Sequence, residues 1–131
     1  MILCNFHLLV STNMDDPKKE VVKFWNAASC GENLFLKPTD SEISMWNHHA
    51  QRRYELEPYI EEFADFNGMI DQCVLEVGVG LGSDHQKIAE NTSYCFGIDL
   101  TSRAIDYTRK RLFAFNLTSS VFVADAEHLP F

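Results

Sequence analysis

Gly78, Gly80 and Gly82 stand at alternate positions in the stretch VLEVGVGLGSDHQKIAE, Val74 to Glu90. Glycines so spaced let a backbone turn sharply and let a ligand lie against it with no side chain between. Ser83 with Gln86 three residues later fits a capping box, which predicts a helix start whose unpaired amides and positive dipole end face the same loop. Asp99 comes 21 residues after Gly78, at the end of the run YCFGI. A carboxylate there can accept both vicinal hydroxyls of a ribose. Asp125, beside Ala126, closes a third apolar run in the same way. Its carboxylate could accept from an adenine amino group, and the Ala126 amide could serve the base. The spacing narrows the ligand further. A dinucleotide loop asks for G-x-G-x-x-G or A, yet Ser83 stands at the third small position, and no Gly-Lys-Ser or Gly-Lys-Thr is present to cradle a triphosphate. The pattern suits a different adenosine ligand.

Such residues need strand ends and helix starts to hold them. Cys73 to Val77, Tyr94 to Ile98 and Ser120 to Ala124 are compact strand candidates, with helix candidates at Ser83 to Glu90 and from Ser102 towards Phe115. Strand and helix alternating at these lengths predict βαβ units with right-handed crossovers, hence an α/β fold with a parallel sheet ordered 3-2-1. Upstream, Asp15-Asp16-Pro17 reads as a helix start, and Val21, Val22, Phe24 and Trp25 form an apolar stripe ended by Ser29-Cys30-Gly31. Asn33 to Ser44 reads as a loop. Trp46, Ala50 and Tyr54 repeat every four residues and predict a second helix, while Tyr59, Ile60, Phe63 and Phe66 continue one face past Pro58, which kinks that helix or opens another. Asn67-Gly68 closes the segment. The chain thus divides into an extension at 1–14, a helical cover at 15–68 and an α/β region at 69–131.

A chain of 131 residues holds one domain at most. Its net charge of −8 is spread along the sequence, which argues against a nucleic-acid track or an anionic membrane as partner. Cys4, Cys30, Cys73 and Cys95 lack the paired rhythm of a zinc site or a disulfide scaffold, so no metal is expected, and free thiols fit a cytoplasmic location. The opening MILCNFHLLV is apolar but too short to span a bilayer, and it lacks the basic start of a secretory signal. His48 and His49 are adjacent and cannot share a helix face, and His85, next to the glycine loop, is not spaced against another catalytic residue, so none is assigned as a base.

Three segments in order resemble the class I S-adenosylmethionine-dependent methyltransferases, notably small-molecule enzymes with an amino-terminal helical region. They are Glu76-Val-Gly78-Val-Gly80-Leu-Gly82 with Ser83-Asp84, then Gly97-Ile-Asp99-Leu100-Thr101, then Val123-Ala-Asp125-Ala126-Glu127-His-Leu-Pro130-Phe. The likeness covers about residues 72–131, with a weaker one from Phe24 to Phe66. It implies a partial Rossmann-like methyltransferase sheet and S-adenosylmethionine as cofactor. Glu76 would stand near the methionine moiety or organise the loop, and Gly78, Gly80 and Gly82 would shape the floor. Asp99, with Leu100 beside it, would hold the ribose, and Asp125 and Ala126 would border adenine. The implied chemistry is methyl transfer from a sulfonium to a small-molecule acceptor, which depends mainly on alignment. No catalytic residue is assigned. Trp46, Arg53, Tyr54 and Tyr59 are candidates for covering the cofactor or lining an acceptor pocket, with helical packing as their competing role.

The resembled family has a fourth strand against the free side of the first, and this sequence is expected to stop before it. An edge so left open calls for a partner protein or for further chain. Two other readings stay open: a catalytically inactive cofactor-binding or partner-binding module, and a nicotinamide-dependent oxidoreductase, which the G-x-G-x-G spacing disfavours.

Overall fold

The computed structural model describes residues 18–36 and 41–129. The apolar segment at 1–14, the helix start expected at residues 15–17, positions 37–40 of the expected loop, and Pro130 and Phe131 lie outside the described residues. Three parallel strands form the sheet: β1 (Val74–Val77), β2 (Cys95–Asp99) and β3 (Ser120–Val123), in the spatial order β1-β2-β3. The expected 3-2-1 arrangement is therefore present. The register pairs Val77 with Ile98 and Asp99 with Val123, so the three carboxyl ends lie side by side.

The crossover helices are α5 (Ser83–Asn91) and α6 (Ser102–Ala114), numbered after the four helices upstream, and both pack against β2 and each other. Ile105, Thr108 and Leu112 share the buried face of α6 at helical spacing. Val79, Ile105, Leu112 and Val121 form one apolar cluster; Phe66, Ile88 and Cys95 form a second. Ile105 retains only 1% exposure, and burying such a side chain contributes about 2 kcal/mol. Thr101 caps α6 by accepting from the Ala104 amide.

The capping box expected at Ser83 and Gln86 does not form. Gly82, at φ 75°, holds the N-cap position of α5 without a side-chain bond, the Ser83 hydroxyl turns to His49 instead, and Gln86 donates along the helix to Glu90. Tertiary partners outcompete the local cap. Gly82 is also required for space, because a Cβ there would lie 2.9 Å from Thr108 Oγ1.

The helical region comprises α1 (Lys18–Ala27), α2 (Glu32–Phe35), α3 (Glu42–Leu56) and α4 (Tyr59–Ala64), followed by a 3₁₀ turn at Phe66–Met69. Two of these differ from expectation within Asn33 to Ser44, read from sequence as loop. The short α2 is anchored through Glu32, whose carboxylate accepts from the Ser29 amide, Arg103 and Tyr107. Ser41 caps α3 by accepting from the Ser44 amide, which starts that helix at Glu42. Neither anchor has a local apolar period. Pro58 opens α4 as its N-cap residue. The apolar face expected past it is not buried as a unit: Phe63 is 89% exposed, while Phe66 enters the core. Trp46 and His49 form the buried part of α3, which rests on α5 and α6. Among the described residues no helix is long and apolar enough to cross a membrane.

Candidate functional site

The loop from β1 to α5 lines a pocket of about 430 Å³ together with Glu76, His49, Arg53, Leu56 and Glu57. Gly78 (φ 83°) and Gly80 (φ 54°) both adopt left-handed backbone, and a Cβ on either would meet nothing within 4 Å. The bare backbone there faces open space. The amides expected to point at a ligand are turned inward instead: Gly78 and Val79 donate to Ile98 O (2.8 and 3.2 Å), Gly82 donates to Val79 O, and Gly80 donates to Asp99 Oδ2 at 3.1 Å. The loop offers a shaped surface, stitched to β2 from below.

Asp99 supplies one of those stitches. Its Oδ1 also accepts from the Thr101 amide (3.0 Å) and hydroxyl (2.8 Å), so about one of its four or so lone-pair directions remains for a ligand. Leu100 is partly buried beside it. At the end of β3 the Ala124 amide donates to Asp99 O at 2.9 Å, which ties the two strand ends together. Asp125 is more fully engaged. Lys18 of α1 lies 2.5 Å from Oδ2, His128 Nδ1 lies 2.9 Å from the same oxygen, and the Glu127 amide donates to Oδ1 at 3.0 Å. The Lys18 ammonium holds the Asp125 carboxyl well below the usual carboxylate range. Ala126 is exposed at the turn. The structure thus places Glu76, Gly78, Gly80 and Gly82 on one pocket wall, while Asp99, Leu100, Asp125 and Ala126 follow along the strand ends outside that lining.

The helical cover reaches the pocket through Asp84. Arg53 grips its carboxylate with Nε (3.1 Å) and Nη2 (2.6 Å), Tyr54 donates to it at 2.8 Å, and Arg53 Nη1 donates to Glu57 at 2.9 Å. Two of the cover candidates therefore fix α3 onto the start of α5. Trp46 is a core residue beneath the Arg111 guanidinium (4.8 Å to the ring centre), and Tyr59 is exposed with its hydroxyl on Glu57.

Sequence reasoning passed over both buried histidines. His49 Nδ1 lies 2.9 Å from Arg111 Nη2 and 2.8 Å from Ser83 Oγ. A guanidinium can only donate, so Nδ1 accepts and the ring proton sits on Nε2. Burial, then the Arg111 charge, hold this imidazole down to about 4; burial likewise brings Arg111 down to about 10. His85 is fully enclosed, with Nδ1 2.8 Å from Glu76 Oε2 and Nε2 2.7 Å from Ser119 Oγ. Burial raises the Glu76 carboxyl above its ordinary value. One sequence signal did mark this place: Gly97, inside β2, where a Cβ would lie 2.8 Å from His85 Cε1 and 2.6 Å from Val79 Cγ1. A glycine within a strand announces a close approach, here of an imidazole crossing the middle strand.

A family model described as a methyltransferase domain matches residues 74–131. No curated protein matches the chain. Among solved structures, one from work on conversion of a disulfide bond into a thioacetal group during echinomycin biosynthesis is 26% identical, with a TM-score of 0.49 over 80% of this chain. The match spans 40% of that protein's own length. With its three ordered parallel strands and its glycine loop, the segment 74–131 belongs to the class I S-adenosylmethionine-dependent methyltransferase domain family.

Proposed function

We propose that this chain binds S-adenosylmethionine over the carboxyl ends of its strands and serves methyl transfer to a small-molecule acceptor. The observation that carries the reading is the open surface over Gly78 and Gly80, whose missing Cβ atoms leave room on the floor of a 430 Å³ pocket walled by Glu76. That volume lies within the range of small-molecule sites, about 300 to 1,000 Å³. The residues fit the group: an acid for its cationic part, bare backbone for its body, and Asp99 beyond Gly80 for a ribose hydroxyl.

When bound, the cofactor supplies a methyl group on a sulfonium, ready for transfer to a nucleophile. The chain's own residues hold and orient. Glu76 presents a carboxyl group to the pocket, Gly78 and Gly80 keep the floor low, Gly82 lets the start of α5 pack against Thr108, and Asp99 retains about one acceptor direction for ribose. Asp125 and Ala126 border the adenine side, where Lys18 must share or release the carboxylate. Arg53 and Tyr54, through Asp84, keep the helical cover seated over the loop. Calorimetric titration with S-adenosylhomocysteine, with NAD as competitor, tests the reading. Binding that NAD does not displace is expected. Tighter binding of NAD, or no binding of S-adenosylhomocysteine, would reject it.

A further inference from the structure

The chain of contacts behind Glu76 fixes a proton count. Ser119 Oγ lies 2.9 Å from the carbonyl oxygen of Cys95, which can only accept, so the single hydroxyl proton of Ser119 points there. Ser119 Oγ must then accept from His85 Nε2, 2.7 Å away, and Nε2 carries a hydrogen. What remains is the 2.8 Å contact between His85 Nδ1 and Glu76 Oε2. With Nε2 already protonated, that contact holds one further proton, on the carboxyl or on the ring, and the pair is neutral overall in either arrangement.

The two partners differ in what they face. Glu76 lines the pocket and keeps 16% of its side chain exposed, whereas the His85 ring is 0% exposed and lies in space that Gly97 leaves clear. We infer that Glu76 and His85 form a single-proton pair in which His85 receives the Glu76 proton when a cationic group enters the pocket, so that a carboxylate appears there without proton exchange with solvent. The inference rests on the cofactor reading above, since the cofactor carries both an ammonium and a sulfonium. The step is balanced. The O–H bond of Glu76 breaks, an N–H bond forms at His85 Nδ1, and no proton leaves the protein. In the ligand-free state burial favours the protonated carboxyl; a cation beside Glu76 favours the carboxylate and leaves the compensating positive charge one residue further from the ligand. The other charged groups facing Glu76 are Asp84 of α5 and Arg53 of α3, already paired with each other. His85 is otherwise faced by neutral Ser119. His85 is on this account a positioning residue, acting through Glu76.

The test is calorimetry of S-adenosylmethionine binding in buffers of different ionisation enthalpy, between about pH 8 and pH 5. The unaltered chain should bind with no net proton exchange. His85→Gln can keep hydrogen bonds to both neighbours but cannot take up a proton, so binding should release up to one proton and weaken by up to about tenfold per pH unit on the acid side. A variant with the same proton balance as the unaltered chain would overturn the inference and leave the cofactor reading standing. Absence of any binding by the unaltered chain would overturn both. ¹⁵N NMR of His85 in the unaltered protein reads the proton count independently of the variant's folding. A proton-bearing Nε2, with an Nδ1 signal that moves towards the protonated value on ligand addition, is expected; a pyridine-like Nε2 would refute the pair.

Discussion

The carboxyl ends of β1 and β3 carry acids of similar promise in sequence, Glu76 with its glycines and Asp125 with Ala126, yet the fold treats them in opposite ways. At β1 the polar partners come from α5 and β2: His85 reaches Glu76 across Gly97 on the face of the sheet that α5 covers, and Ile98 O and Asp99 take up the loop amides. At β3 a partner comes from the cover: Lys18 of α1 sits on the Asp125 carboxylate. A motif therefore names the residue that can meet a ligand, while the direction from which its hydrogen bonds are satisfied decides whether it is open to do so.

Filling the space that admits His85 should break this contrast most severely. Gly97→Val places a Cβ 2.6 Å from Val79 Cγ1, 2.8 Å from His85 Cε1 and 3.0 Å from Val121 Cγ1. Overpacking combined with a displaced buried imidazole should cost more than about 3 kcal/mol. Urea unfolding checks this, and a variant of unchanged stability would deny His85 its crossing.

His49 sharpens the contrast by showing what it takes to keep a buried ring neutral. Its folded value of about 4 lies below the ordinary 6.5. The unfolded chain binds a proton there as pH falls from about 6.5, while the folded chain resists until about 4. The contribution is fully present above pH 6.5 and is lost on the way down to 4, by about 3 kcal/mol. Stability measured across that window should fall with pH, and His49→Gln should flatten the slope. An equally steep variant would place the titrating group elsewhere.

Making the β3 end resemble the β1 end has the smallest expected effect. Lys18→Met removes the cation from Asp125 and should raise affinity for S-adenosylhomocysteine about threefold, with added salt mimicking part of the gain in the unaltered chain. A loss of affinity would show that Lys18 helps to hold the ligand.

The sheet was legible in the sequence because its signals are local. Short apolar runs ended by Gly78, Asp99 and Asp125, with helical spacing between, predict three parallel strands in the observed order. Pro58 and the Trp46, Ala50, Tyr54 period likewise located α3 and α4. Anchoring was not legible, because each anchor joins residues far apart in the chain. Glu32 starts α2 through Arg103 and Tyr107, Ser83 leaves its cap for His49, and Asp125 is taken by Lys18. Phe63 shows the converse failure, an apolar residue on the expected face that stays exposed. The glycine loop was read as a place where a ligand lies against bare backbone; its left-handed glycines leave open space there, but its amides serve β2 and Asp99, which no spacing rule reveals.

The most direct measurement of the central claim, that the bare backbone over the β1 loop is the cofactor cradle, is calorimetric titration of S-adenosylhomocysteine against the unaltered chain and Gly80→Val. The new side chain meets no atom within 4 Å of its Cβ position and projects into open space, so the variant should retain cooperative unfolding apart from left-handed strain of about 1 to 2 kcal/mol. Binding by the unaltered chain and none by the folded variant is expected; equal affinity in the two would rule out the loop as the cradle.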